Sequence, residues 1–265
     1  MAFQLFFVIV FFIMGCAEEV QFADPNFELA IRKSIEKPEG AILKSDLEGL
    51  AKLYANEKNI TNLNGIEHCK NLQELVLWKN KISDISPLNS LANLQLLNLW
   101  DNQISDISPL SGLTKLKSLG LGGNQIIDTS PLGGLTNLQR LHLNRNQISD
   151  ISPLLNNPGI GKGDKVSLRG NPLSDYSINN LIPKLEESGV NLSYAPTLNI
   201  ASPEPGEELG IMIFDDEIVT MDELFERFKA STRLIIKAGK NVSHKQINQI
   251  MEIAKHVGIK DVIVK

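Results

Sequence analysis

Apolar positions recur with a fixed period through the middle of this chain. Leu72 opens LQELVLWKNKISDISPLNSLAN, Leu94 opens LQLLNLWDNQISDISPLSGLTK and Leu116 opens LKSLGLGGNQIIDTSPLGGLTN, one 22-residue unit written three times. Each unit predicts a short strand whose alternate residues, such as Leu75 and Leu77, point inward, followed by a turn and a returning limb. A unit this small cannot bury its apolar side alone, so neighbours must stack into a solenoid. Backwards, Leu50, Leu53, Ala55 and Ile60 align as a degenerate first repeat over 50–71, with Lys58 at the asparagine position. Forwards, Leu138, Leu141, Leu143, Asn146 and Ile148 make a fifth repeat, and Val166, Leu168, Asn171 and Leu173 a sixth. Residues 156–162 lengthen the fifth as an inserted loop, which costs little because closure entropy grows slowly with length.

The polar positions inside the period are equally regular. Asn80, Asn102, Asn124, Asn146 and Asn171 fall where the chain leaves each strand, where an amide can satisfy buried backbone groups that lack ladder partners. Asp84-Ile85-Ser86-Pro87-Leu88 and its copies at Asp106, Asp128 and Asp150 form the returning limb, whose prolines fix φ. The fold class is therefore α/β: a leucine-rich repeat solenoid over 50–192 with a parallel β concave face. These DISPL segments and the 22-residue length resemble internalin-type bacterial leucine-rich repeats across about 24–192. Residues 24–49 read as a helical N-terminal cap over the open end. Asp24 N-caps a helix with Pro25 at its first position, and Ser45-Asp46-Leu47-Glu48 has the pattern of a capping box for a second.

Residues 193–208 are rich in proline, glycine and glutamate and read as a linker; beyond them the period is gone. Over 209–265 the pattern predicts a small α+β unit in ββαβαβ order. Its strands fall near Ile211–Phe214, Ile218–Val219, Leu234–Ile236 and Val262–Val264, and helices open at Thr220 and Ser243. The stretches Ile213 to Leu224, Lys237 to Val242, Ile250-Met251 and Ala254 to Ile259, with Leu198-Asn199-Ile200-Ala201 ahead of them, resemble the periplasmic domain of ExbD/TolR-type biopolymer transport proteins. Gly239 stands where that family has aspartate, and the family's membrane helix with its proton-carrying aspartate has no counterpart, so proton-motive coupling finds no support. The resemblance implies self-association as a homodimer through this unit.

Leu5 to Met14 is an unbroken run of ten apolar residues, too short to span a bilayer and suited to the core of a signal peptide over 1–15. The run ends Ile13-Met14-Gly15-Cys16, which resembles the lipobox of bacterial lipoproteins, although Met1 to Gln4 carry no Lys or Arg. The resemblance implies lipidation at Cys16, a lipidated tether over 16–23 and membrane attachment through that lipid. Ala17, rather than aspartate, follows the cysteine; by likeness to enterobacterial sorting this points to the outer membrane, facing the periplasm or the cell surface. The ExbD/TolR likeness favours the periplasmic side. Cys69, the only other cysteine, aligns with Leu91 and Leu113 and is expected to be a buried hydrophobe.

A net charge of −5 gives no footprint for nucleic acid. The four histidines are scattered, no metal, nucleophile or phosphate-loop motif occurs, and Gly159-Ile160-Gly161-Lys162-Gly163 lacks Walker spacing. No enzyme activity and no cofactor are expected. What remains is the concave face, where the outward strand positions change from repeat to repeat. They run Lys52, Tyr54, Asn56; Glu74, Val76, Trp78; Leu96, Asn98, Trp100; Ser118, Gly120, Gly122; Arg140, His142, Asn144; Lys165, Ser167, Arg169. Both tryptophans share one column on adjacent rungs, the glycines after them are expected to leave a depression, and basic residues follow. Either the tryptophans stack on each other beside a solvated charged face, or Tyr54, Glu74, Trp78, Trp100, Arg140, His142, Arg145 and Arg169 bind a protein partner. A second functional reading makes the chain a transport-accessory protein whose C-terminal unit docks with an energy-transducing envelope complex or the cell wall.

Overall fold

The computed structural model describes residues 18–194, 197–200, 212–214, 217–219, 233–238, 242, 244–256, 258–259 and 261–264. The expected signal peptide, the expected lipidation site Cys16 and the helix expected from Thr220 lie outside the described residues.

The repeats form one seven-stranded parallel sheet. Its strands are β1 (Lys52–Tyr54), β2 (Glu74–Val76), β3 (Leu96–Asn98), β4 (Ser118–Gly120), β5 (Arg140–His142), β6 (Lys165–Ser167) and β7 (Asn191–Ser193), in sequence order. The register pairs Lys52, Glu74, Leu96, Ser118, Arg140, Lys165 and Asn191 across it, so one sequence column is one line of residues in space. The inward leucines join a single core that runs from Val20 to Tyr194. Cys69 lies inside it, fully buried, and burial, reinforced by Glu67, pushes its thiol up to about 12; it is a packed hydrophobe without thiolate character.

The asparagines do what their place in the period requires. Asn102 donates through Nδ2 to the carbonyls of Leu77 and Leu99, both at 3.0 Å, and its Oδ1 accepts the amide of Ile82 at 3.1 Å. Asn80, Asn124, Asn146 and Asn171 repeat the pattern, each tying its own rung to the one before. On the returning limb, Asp84, Asp106, Asp128 and Asp150 each accept the amide of the serine two residues on, and the proline starts a short turn of helix. Three of these turns are 3₁₀, at Ser86–Ser90, Ser108–Leu110 and Ser130–Gly134. The fifth repeat's insertion is anchored rather than loose. Asn157 is buried, donates to Leu132 and Leu135 carbonyls and accepts the Gly159 amide, while a Cβ on Gly159 would come within 1.9 Å of the Thr136 carbonyl oxygen.

At the N-terminal end, α1 (Pro25–Ser34) covers the first rung with Phe27 and Ile31. Asp24 caps it through Oδ1, while its Oδ2 accepts the Thr61 amide at 2.7 Å and hydroxyl at 2.8 Å, stapling cap to repeat. Burial opposes ionisation of this carboxyl, yet the Thr61 and helix-end donors hold its pKa below the ordinary value. The second helix, α2 (Lys44–Leu47), starts two residues earlier than the Ser45 capping box implies, with Leu43 rather than Ser45 at the N-cap. Asp46 reaches back to the Leu43 amide at 2.7 Å, and Ser45 sits inside the helix. Within the stretch expected as a lipidated tether, Val20 donates to the Ile42 carbonyl and Glu18 accepts the Lys44 amide, so Glu18 and Val20 pair with the segment leading into α2.

The seventh rung is a departure from the six legible repeats. After α3 (Ser152–Leu155), β6 leads into α4 (Ile182–Glu187), whose Ile182 and Leu185 fill the core before the chain returns as β7. Beyond it lies a second sheet of five strands in the order Glu217–Val219, Met212–Phe214, Thr197–Ile200, Arg233–Ala238, Asp261–Val264. These are β8 (Thr197–Ile200), β9 (Met212–Phe214), β10 (Glu217–Val219), β11 (Arg233–Ala238) and β12 (Asp261–Val264). Strand β8, inside the expected linker, pairs parallel with β11 and antiparallel with β9, so the sheet is mixed and that stretch is part of the unit. Helix α5 (His244–His256) packs Ile250 and Ala254 with Leu234, Ile236 and Ile259 as a small separate core.

Candidate concave binding face

Each functional column begins as a geometric consequence of the parallel register. The residues three positions past the ends of β2 to β6, Lys79, Asp101, Gly123, Arg145 and Gly170, all take left-handed backbone angles, with φ between 51° and 68°. The residue before each of them, Trp78, Trp100, Gly122, Asn144 and Arg169, therefore occupies the last position of the concave face before the chain turns to the asparagine ladder.

The two tryptophans part company. The Trp100 indole leans forward over Gly122, where an added Cβ would come within 2.6 Å of Cε2, and reaches the His142 imidazole with ring centroids 5.8 Å apart. The expected depression at Gly122 is thus occupied by Trp100, because a glycine without Cβ is the only residue that admits the indole there. The tryptophans do not stack on each other; Trp78 instead carries the Lys79 ammonium 5.1 Å from its ring centroid. Leaning away from Trp78 opens a cleft of about 350 Å³ lined by Trp78, Asn98, Trp100, Asp101 and Arg145. Its floor is held by the Asn98 side chain, which accepts the Trp100 amide at 3.1 Å. Its rim is an ion pair, Arg145 Nη2 to Asp101 Oδ1 at 2.9 Å, which spans two repeats across Gly123.

The other sequence-derived residues fall into separate groups. Tyr54 donates its hydroxyl to Glu74, and Lys52 pairs with the same carboxylate at 2.7 Å. The Lys52 and Tyr54 donors keep the Glu74 pKa low, and Glu74 in turn raises that of Tyr54. This cluster closes on itself at the N-terminal edge. Arg140 lines a second hollow, of about 260 Å³, with Gln139, Lys162, Gly163, Asp164 and Lys165. His142 stands between the two hollows in the register, and burial, then the charges of Arg140 and Lys165, lower its pKa. Arg169 is half-buried one rung further on.

Sequence reasoning missed Asp101, Lys79 and Lys162. The signal for Asp101 was present: an acid and a base of one column, 44 residues apart, with glycine between them. Among the described residues no helix is long and apolar enough to cross a membrane.

Comparison with known proteins agrees with this geometry. The family described as Leucine Rich repeats (2 copies) matches residues 92–132 and 114–156. An internalin (InlF) from Listeria monocytogenes is similar in structure, with a TM-score of 0.52 and 24% identity over 92% of this chain and 69% of that one. Internalin C2 from the same organism is 31% identical, with a TM-score of 0.38, over 65% of this chain and 94% of that one. No curated protein matches the chain. The repeats are leucine-rich repeats, and the fold is that of an internalin-like solenoid.

Proposed function

We propose that this chain is a non-enzymatic, protein-binding lipoprotein of the bacterial cell envelope, acylated at Cys16 and working through the concave face of its repeats at the outer membrane, on the periplasmic side. The observation that carries the reading is the cleft between Trp78 and Trp100: two half-buried indoles on adjacent rungs that leave their facing space unfilled. Aromatic side chains held by rigid backbone are strong anchors, since each covers a large apolar area at small entropic cost. Rungs locked by the asparagine ladder present that area without reorganisation. The test is affinity capture from envelope extracts with the wild-type chain and with Trp78→Ala/Trp100→Ala. Loss of the captured protein, with a melting temperature only slightly lowered, supports the site; capture by both proteins alike rejects it.

A second reading rests on the C-terminal sheet. Strand β8 coincides with the segment that resembles the stretch after the membrane anchor in ExbD/TolR proteins, and among the described residues β10 and β12 are each paired on one side only. A unit with such edges suits docking to an envelope complex or cell wall, or pairing with a second copy. Deletion of 197–265 removes the whole sheet. If it abolishes association with the complex while concave-face capture persists, docking stands; if association is unchanged, this reading falls.

A further inference from the structure

The concave face is polarised along the array. Rungs β2 and β3 carry the apolar and aromatic surface, Val76, Trp78, Leu96 and Trp100. Rungs β5 and β6 carry positive charge, and the Arg140, Lys162 and Lys165 side chains converge on one hollow. The acids near these surfaces are engaged. Glu74 is held by Lys52 and Tyr54, Asp101 by Arg145, and Asp164 accepts the Gly161 amide at 2.9 Å. Among the described residues, none of the three cations of the hollow has an acid within ion-pairing distance, Asp164 included.

We propose, on the basis of the concave-face reading above, that the partner presents an acidic extended segment, placing an apolar side chain between Trp78 and Trp100 and its carboxylates on Arg140, Lys162 and Lys165. The two hollows are about 14 Å apart across the rungs and about 13 Å apart along the strands, at roughly 4.8 Å per strand and 3.3 Å per residue. The diagonal of about 19 Å is spanned by about six residues of extended chain. Charge complementarity decides the sign of the partner, because among the described residues three cations line the hollow against one carboxylate, Asp164, so a basic segment meets net positive charge and an acidic one supplies the balance. The segment would cross beside His142, whose ring is already packed on Trp100 and so links the two ends.

The protein carries its own reporter, since Trp78 and Trp100 are its only tryptophans. Phage-displayed random dodecapeptides are panned against the full chain, and enriched peptides are synthesised and titrated by tryptophan emission. The expected peptides pair an aromatic or aliphatic residue with at least two carboxylates about six positions away, shift the emission, and bind more weakly as salt rises. Arg140→Glu/Lys165→Glu should weaken them about tenfold or more, and Arg140→Ala/Lys165→Ala by less. Both variants change exposed side chains, and thermal melts verify that they fold. Neutral or basic peptides, or affinities indifferent to these variants, overturn the acidic partner while leaving the cleft in place. Acidic peptides that leave the emission unmoved overturn the cleft as anchor. Tight binding of heparin, independent of both tryptophans and with no peptide enriched, assigns the basic hollow to an anionic glycan and rejects the proposal together with the protein-binding reading.

Discussion

Two columns of this solenoid lie two residues apart in every repeat and behave oppositely. The ladder column holds asparagine on five successive rungs, Asn80 to Asn171, and each side chain meets the same backbone groups in the same geometry. The concave column beside it reads Trp78, Trp100, Gly122, Asn144, Arg169, and no two of its members have the same surroundings. The first column faces the backbone, which is the same on every rung, so one side chain solves the problem each time. The second faces solvent and its own neighbours, so each identity depends on the next: Gly122 is the seat of Trp100, and Gly123 is the gap through which Arg145 reaches Asp101. Stability is thus concentrated in the repeating column and recognition in the varying one.

The contrast can be broken most strongly at the ladder. Asn102→Ala leaves the Ile82 amide buried without a partner, at about 1–3 kcal/mol, and takes one of two donors from each of the Leu77 and Leu99 carbonyls, which keep Asn80 and Asn124. A net loss of about 3 kcal/mol in denaturant unfolding is expected; less than about 1 kcal/mol would mean that the amide is not what holds the rungs. Gly122→Ala probes the other column at intermediate cost. Its methyl displaces the Trp100 indole, with a stability loss of about 1–2 kcal/mol and a red shift of the emission as the ring leaves its seat. An unchanged spectrum would show that Trp100 does not rest on Gly122.

The smallest effect is expected at His142. Burial and two nearby cations lower its folded pKa below the unfolded value near 6.5, so the unfolded chain takes up the proton first as pH falls. Stability from the neutral ring is therefore fully present above about pH 6.5 and declines as pH drops through the folded pKa, after which it levels off. His142→Gln should flatten that segment of the stability profile, measured by urea melts between pH 7 and 5. A slope that persists in the variant would trace it to other groups.

Much of the fold was legible in the sequence because it follows from local repetition. Leu75, Leu97 and Leu119 had to point inward, and the asparagines had to serve the backbone, because no other arrangement buries a 22-residue unit. Where the period fades, legibility falls. Strand β7 and its preceding α4 have no leucine pattern to announce them, and β8 lay in a segment whose composition suggested a linker, since a strand's partners can be far away in sequence. At the candidate site, the identities and the columns could be read, but not the contacts. The depression expected at Gly122 is filled, while the open cleft lies on the other side of Trp100.

By itself, then, the sequence determined the class of architecture, the register that makes one column one line in space, and the positions free to vary. Those depend on period and burial, which are properties of the chain's own pattern. Only the tertiary structure decided which way the Trp100 indole turns, that Asp101 and Arg145 meet across two rungs, and that Arg140, Lys162 and Lys165 share a hollow while Glu74 is already neutralised. These depend on side-chain rotamers competing for the same space, and that competition exists only once the rungs are stacked.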